Sequence, residues 1–175
     1  MKRKYELTDE TMELYGTTLH RIKALLDFND VKAGDLGGWV ENEDNLSRYG
    51  NAWVYGNAKI YGNAWVYGDA LVHNNAQIGG NAEIYDNAKI YGFARVFGDA
   101  QVGGDARVNS NRDYIVFKDW WDSGRYFTWT RSNDKWRAGD FYGTGDELIH
   151  KAYQHGETSG REYARIVEYV NQIKK

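Results

Sequence analysis

Neither cysteine nor proline occurs among the 175 residues. The missing cysteines exclude disulfides, thiolate metal sites and a Cys nucleophile. With only four histidines, scattered along the chain, a structural zinc site has too few ligands, so no metal and no cofactor is expected. No apolar run approaches the roughly 18 residues of a membrane-spanning helix. The start, MKRKYELTDETMELYG, is basic but lacks the apolar stretch of a secretory signal. A cytoplasmic location in a bacterial cell and no membrane partner are the expectations. An excess of either charge is also lacking: 22 Lys and Arg face 25 Asp and Glu, a formal net charge of −3. That balance argues against a strong, sequence-independent grip on nucleic-acid phosphates and against an acidic mimic of DNA.

What the chain has in quantity is aromatic residues, 7 Trp and 14 Tyr, and a repeat. Val54, Ile60, Val66, Val72, Ile78, Ile84, Ile90, Val96, Val102 and Val108 recur every sixth position, and an alanine precedes each by two residues, from Ala52 to Ala106. A small and a β-branched residue at fixed phase are the mark of a repeat architecture. Side chains alternate along a strand, so Ala and Val point inward together. Between them stand Gly-Asn or Gly-Asp pairs such as Gly56-Asn57 and Gly68-Asp69, which tolerate left-handed turn angles. Each hexad then makes one short strand and one corner, and three hexads close a triangular coil.

An aliphatic residue followed four positions later by a small one, as in Val54 and Ala58 or Val102 and Ala106, resembles the left-handed parallel β-helix of hexapeptide-repeat proteins. The preceding stretch, TLHRIKALLDFNDVKAGDLGGWVENEDNLS, together with Tyr-Gly-Asn-Ala hexads, resembles the YdcK-like group of bacterial and phage proteins. The resemblance implies architecture and a phage or prophage setting, without an activity. The fold expected is mainly β: a short left-handed parallel β-helix of about three coils over 51–110, an N-terminal cap over 1–50 and a small C-terminal α+β domain over 111–175. In the cap, Leu19 and Ile22 suit a short strand or helix, and Gly34, Gly37 and Gly38 break any helix before the first coil.

After Asn111 the period stops. DYIVF, RYFTWTR and KWRAGDFYG read as strands with a hairpin turn at Ser132-Asn133-Asp134. Two helices follow, with capping-box spacing at Thr144 and Glu147 and again at Ser159 and Glu162, and an apolar stripe of Ile166, Val167, Val170 and Ile173 on the second. Arg125, Arg131 and Arg137, with Trp120 and Trp121, are candidates for binding an acidic partner, a nucleotide or nucleic acid, because Arg is seldom buried and aromatics stack on bases. Core packing is the competing reading for Phe127, Trp129 and Trp136.

On the coil, outward residues of every third hexad share a face. Trp53, Tyr55, Leu71, His73 and Tyr91 fall on one, Trp65, Tyr67 and Tyr85 on a second, and Lys59, Tyr61, Gln77, Arg95 and Phe97 on the third. The first two sets are candidates for an oligomer or partner interface, where Tyr and Trp concentrate; strand ladders are the plain alternative. A hexapeptide acyltransferase would use a coil histidine as general base, which here could only be His73. No insertion interrupts the repeat to build an acceptor site, and one coil histidine is too few for a carbonic-anhydrase zinc.

The expectation is a non-enzymatic interaction protein that forms a dimer or trimer and binds a host protein or nucleoprotein. Inhibition of a bacterial defence system such as a CRISPR nuclease would be one such role. The alternatives are an acyltransferase using His73 and a nucleotide-sequestering protein using the last domain.

Overall fold

Each hexad forms a two-residue strand followed by a turn, and the turn works because one position adopts positive φ. Glycine fills it in most hexads, with φ of 59° at Gly56 and 66° at Gly62; Asn74 and Asp86, where the repeat departs from Gly, keep it at 58° and 53°. Asn and Asp are the non-glycine residues that enter this region at least cost. The computed structural model, which describes residues 3–175, buries every inward Val, Ile and Ala of the repeat in one continuous core.

Coils stack in parallel register. Lys59–Ile60 pairs with Gln77–Ile78 and that with Arg95–Val96; the backbone N–H of Leu71 donates to Ala88 at 2.9 Å and that of Lys89 to Ala106 at 2.9 Å. The corners carry their own ladders, Asn51 Nδ2 donating to Asp69 at 2.7 Å and Asn81 Nδ2 to Asp99 at 3.0 Å, each across 18 residues, one full coil.

Pairing extends further upstream than the repeat. The strand β1 (Tyr5–Leu14) and β2 (Thr17–Ala24) form an antiparallel hairpin, and β2 pairs with β3 (Leu36–Val40). The end of β3 then lies parallel to Lys59–Ile60, and Leu46 bridges to Val66. Val40, Leu46 and Val54 therefore make a first coil, and the solenoid has four rather than three. The spacing hides this coil, because two extra residues separate Leu46 from Val54 and the step of six is lost.

The C-terminal segment folds as a four-stranded antiparallel sheet, Tyr114–Lys118, Tyr126–Thr130, Lys135–Ala138 and Phe141–Gly143, larger than a hairpin. Two helices, α1 (Gly145–His155) and α2 (Glu157–Ile173), pack against it over Phe127, Trp129, Trp136, Leu148, Tyr163, Val167 and Val170. Thr144 and Glu147 make the reciprocal capping box expected of them. Ser159 caps nothing: Gly156, at φ 154°, breaks the chain so sharply that α2 starts at Glu157 and Ser159 lies inside it. The buried stripe of α2 is correspondingly rotated to Gly160, Tyr163, Val167 and Val170, and Ile173 is exposed.

Both ends of the solenoid are closed by side chains. A parallel stack leaves one coil's N–H groups and another's carbonyls without partners, a liability for any buried backbone. At the last coil, the N–H of Arg95 donates to Asn111 Oδ1 at 2.8 Å, that of Gln101 to Thr128 Oγ1 at 2.9 Å, that of Arg107 to Ser132 Oγ at 2.7 Å and that of Asn109 to Asp113 Oδ2 at 2.8 Å. At the first, Tyr5 Oη donates to the Leu46 carbonyl at 2.7 Å and Lys4 Nζ to the Ala52 carbonyl at 2.9 Å.

Candidate functional site

The face of the coil that carries Trp53 is partly consumed by the fold. Trp53 is buried, its indole meeting Tyr5 edge-on at 6.2 Å and Phe28 at 5.3 Å. It holds the N-terminal segment onto the solenoid and is closed to any partner. Leu71 stands next in the column and is half-buried. Tyr55 donates from its hydroxyl to Asp30 at 2.7 Å and stacks on His73 with ring centres 4.6 Å apart and planes nearly parallel, 3° from each other. Burial and then the charge of Lys89 lower the pKa of His73 below its usual value, with Asp30 working against the shift. Tyr91 completes the column, and together His73, Asn74, Lys89, Tyr91 and Arg107 line an open depression of about 350 Å³.

On the second face Trp65, Tyr67 and Tyr85 form a stack, with ring centres 4.0 Å and 5.3 Å apart. Only its first member is open: Trp65 is 43% exposed, whereas Tyr85 is buried under Arg137, whose guanidinium lies 5.3 Å from the ring centre. Gly103, one coil further on, makes this possible, since a Cβ there would enter the van der Waals surface of the Tyr85 ring. Burial pushes the Tyr85 hydroxyl up to about 12, with Arg137 working against the shift.

The three arginines of the C-terminal domain meet different fates. Arg137 is the clamp on Tyr85. Arg131 lies 5.6 Å from the Trp129 ring and donates to the carbonyls of Arg112 at 3.2 Å and Lys174 at 3.3 Å, tying the sheet to the chain's last turn. Arg125 is exposed and forms no ion pair among the described residues. It stands at the mouth of a cleft of about 260 Å³ floored by Ala138, Leu148, Ala152 and Tyr163 and rimmed by Lys151 and His155. This cleft joins helix and sheet residues that sequence spacing alone could not bring together.

Trp120 and Trp121 part company in the same way. Trp121 turns inward and meets Tyr163 edge-on at 5.2 Å. Trp120 remains 78% exposed. The loop that displays it is built on a buried carboxylate: Asp119 accepts from the backbone N–H of Trp121 at 3.1 Å, Asp122 at 2.9 Å and Ser123 at 3.2 Å, and from the Ser123 hydroxyl at 3.1 Å. Phe127, Trp129 and Trp136 are core.

Among the described residues no group of three or more His, Cys, Asp or Glu side chains could hold a metal ion, and no helix is long and apolar enough to cross a membrane. Residues 58–74 match the family model described as the YdcK beta solenoid repeat. Over that stretch the coil is similar to the YdcK β-solenoid. A 60-residue stretch is 42% identical to a protein of Escherichia coli (strain K12) named "Uncharacterized acetyltransferase YdcK", covering 30% of this chain. The aligned stretch takes in 18% of that relative's length.

Proposed function

We propose that this is a binding protein without catalytic activity, in which a rigid YdcK-like solenoid carries a C-terminal module that engages a macromolecular partner through Trp120. The observation behind this reading is the pairing of a solvent-facing indole with a loop fixed by the buried Asp119 carboxylate. A flexible loop with an exposed Trp would lose its ordering entropy again on binding; a pre-ordered one does not. Trp is also the side chain that most often anchors an interface. The unpaired Arg125 nearby favours a partner with acidic groups.

The name of the E. coli relative raises acyl transfer as a second reading, and His73 would be its base. A lowered imidazole pKa supports it. Against it, the ring lies flat on Tyr55, and neither nitrogen is held by a carboxylate or carbonyl among the described residues. Affinity capture from a bacterial lysate, with the parent and Trp120→Ala compared, tests the first reading, and calorimetry with acetyl-CoA tests the second. Retention of one protein by the parent and its loss from the variant, with no heat from acetyl-CoA, is the expected result. Acetyl-CoA binding that disappears in His73→Ala would replace the proposal with an enzyme.

A further inference from the structure

The depression on the His73 face has a composition at odds with the rest of an acidic chain: His73, Asn74, Lys89, Tyr91 and Arg107 all bring donors and none is a carboxylate. Its two cations are direct neighbours. Lys89 and Arg107 are register partners on adjacent parallel strands, so their outward side chains start about 4.8 Å apart. Like charges placed so repel each other, and a sheet ordinarily puts an acid in one of the two positions. Here no ion pair relieves either side chain among the described residues. Two carboxylates lie within electrostatic reach, Asp105 of Arg107 and Asp30 of His73, but neither forms an ion pair there: Asp105 accepts from Asn133 at 3.0 Å and Asp30 from Tyr55 at 2.7 Å.

An anion bound between the two cations would turn this repulsion into two charge-assisted hydrogen bonds. Arg107 offers a fork that matches a tetrahedral oxyanion, Lys89 a point charge, and Asn74 and His73 further N–H donors. The volume of about 350 Å³ exceeds what a bare oxyanion needs, and the Tyr91 ring, which stacks on no neighbour among the described residues, gives the remainder of a ligand an aromatic surface. We propose that this face of the solenoid is a binding site for the phosphate group of a small phosphorylated molecule. The site is separate from Trp120 and does not depend on the role given to it.

Phosphate and pyrophosphate are the probes, titrated into the full chain by calorimetry and by thermal unfolding at constant ionic strength set with chloride. The variants are Lys89→Gln and Arg107→Gln, with Arg95→Gln as control, an exposed cation in the equivalent position on a different face whose register partner is the neutral Gln77. Expected are saturable binding with a dissociation constant on the order of 1 mM or lower, a loss of tenfold or more in each site variant, and parent-like affinity in the control. Relief of the like-charge contact should leave Lys89→Gln at least as heat-stable as the parent without ligand, a result that a purely structural lysine would not give. Absence of binding at tens of millimolar phosphate, or equal losses in Arg95→Gln, would overturn the site. Retention of duplex oligonucleotide without any phosphate or pyrophosphate binding would overturn it as well, in favour of a nucleic-acid surface.

Discussion

The guanidinium of Arg137 sits 5.3 Å from the centre of the Tyr85 ring, and through this pair the C-terminal sheet is fastened to the second face of the solenoid. Tyr85 in turn stacks on Tyr67, and Tyr67 on Trp65. A column of rings thus runs from an exposed indole to a half-buried cation. Arg137→Ala should leave each half folded while loosening their contact. Its stability cost is about 1–2 kcal/mol, a desolvated cation–π contact plus the stem packing of the side chain. Hydrogen exchange around Tyr85 and Gly103 should rise more than exchange in the inner coils; uniform protection would show that the clamp contributes nothing.

Gly103→Ala probes the same column from below. The added methyl has no room beside Tyr85, which is held from both sides by Tyr67 and Arg137. A destabilisation of about 1–3 kcal/mol is expected from overpacking. The matching change at Gly79, whose Cβ would meet the half-buried rings of Tyr61 at 2.8 Å and Phe97 at 3.0 Å, should cost less because those rings can swing toward solvent. Urea unfolding of the two variants side by side decides the order.

The two adjacent demands on the Trp120 loop separate cleanly. Trp120→Ala should change stability by less than about 0.5 kcal/mol, since the ring touches mostly water. Asp119→Ala leaves three backbone N–H groups without their acceptor and should cost about 1–3 kcal/mol, with faster amide exchange from Trp121 to Ser123. Trp129→Ala, which empties the core and also removes the Nε1–H bond to Asp134 at 2.8 Å, is expected at about 3–5 kcal/mol. Were Trp120→Ala as costly as Trp129→Ala, the exposed indole would be a structural residue and its role as an anchor would fall.

Stability should pass through a maximum in alkaline solution. Burial lowers the pKa of Lys4 from 10.5 to about 8, so between these values the folded chain has released a proton that the unfolded chain still holds. The unfolded state then binds more protons, and stability rises with pH over this window, by up to the order of 2 kcal/mol. Above pH 10 the sign reverses. Tyr5, Tyr55 and Tyr67, raised well above their usual value chiefly by burial, keep their protons when folded and lose them when unfolded. Denaturant titrations from pH 7 to 11 should show the rise in the parent, its absence in Lys4→Met, and the fall in both. A parent whose stability stays flat between pH 8 and 10 would mean that the surrounding carbonyls hold Lys4 charged.

The ten regular hexads were legible because one constraint, the inward Ala and Val of a three-sided coil, acts on every repeat. The first coil was not, since Asn45 serves there in place of the usual backbone geometry: its side-chain amide donates to the carbonyls of Gly62 at 3.0 Å and Ala64 at 2.9 Å, a contact no hydrophobic period announces. For the surfaces, the phase gave the faces but not their occupancy. Trp53 and Tyr85 are outward residues of the coil that other parts of the chain cover, and that depends on how Tyr5, Phe28 and Arg137 fold back from a distance. The depression around His73 went unread for a related reason, because Lys89 and Arg107 stand 18 positions apart and become neighbours only once the coils are stacked.

The side-chain oxygens that meet the N–H groups of the last coil set how this molecule can grow. A β-solenoid with a bare final rung is a template onto which another copy can add its own first rung, and repetition of that step yields a fibre. With Asn111, Thr128, Ser132 and Asp113 occupying that rung, and Lys4 and Tyr5 on the opposite one, end-to-end propagation along the coil axis is blocked. What the coil leaves open is its flanks, where an indole such as that of Trp65 faces solvent.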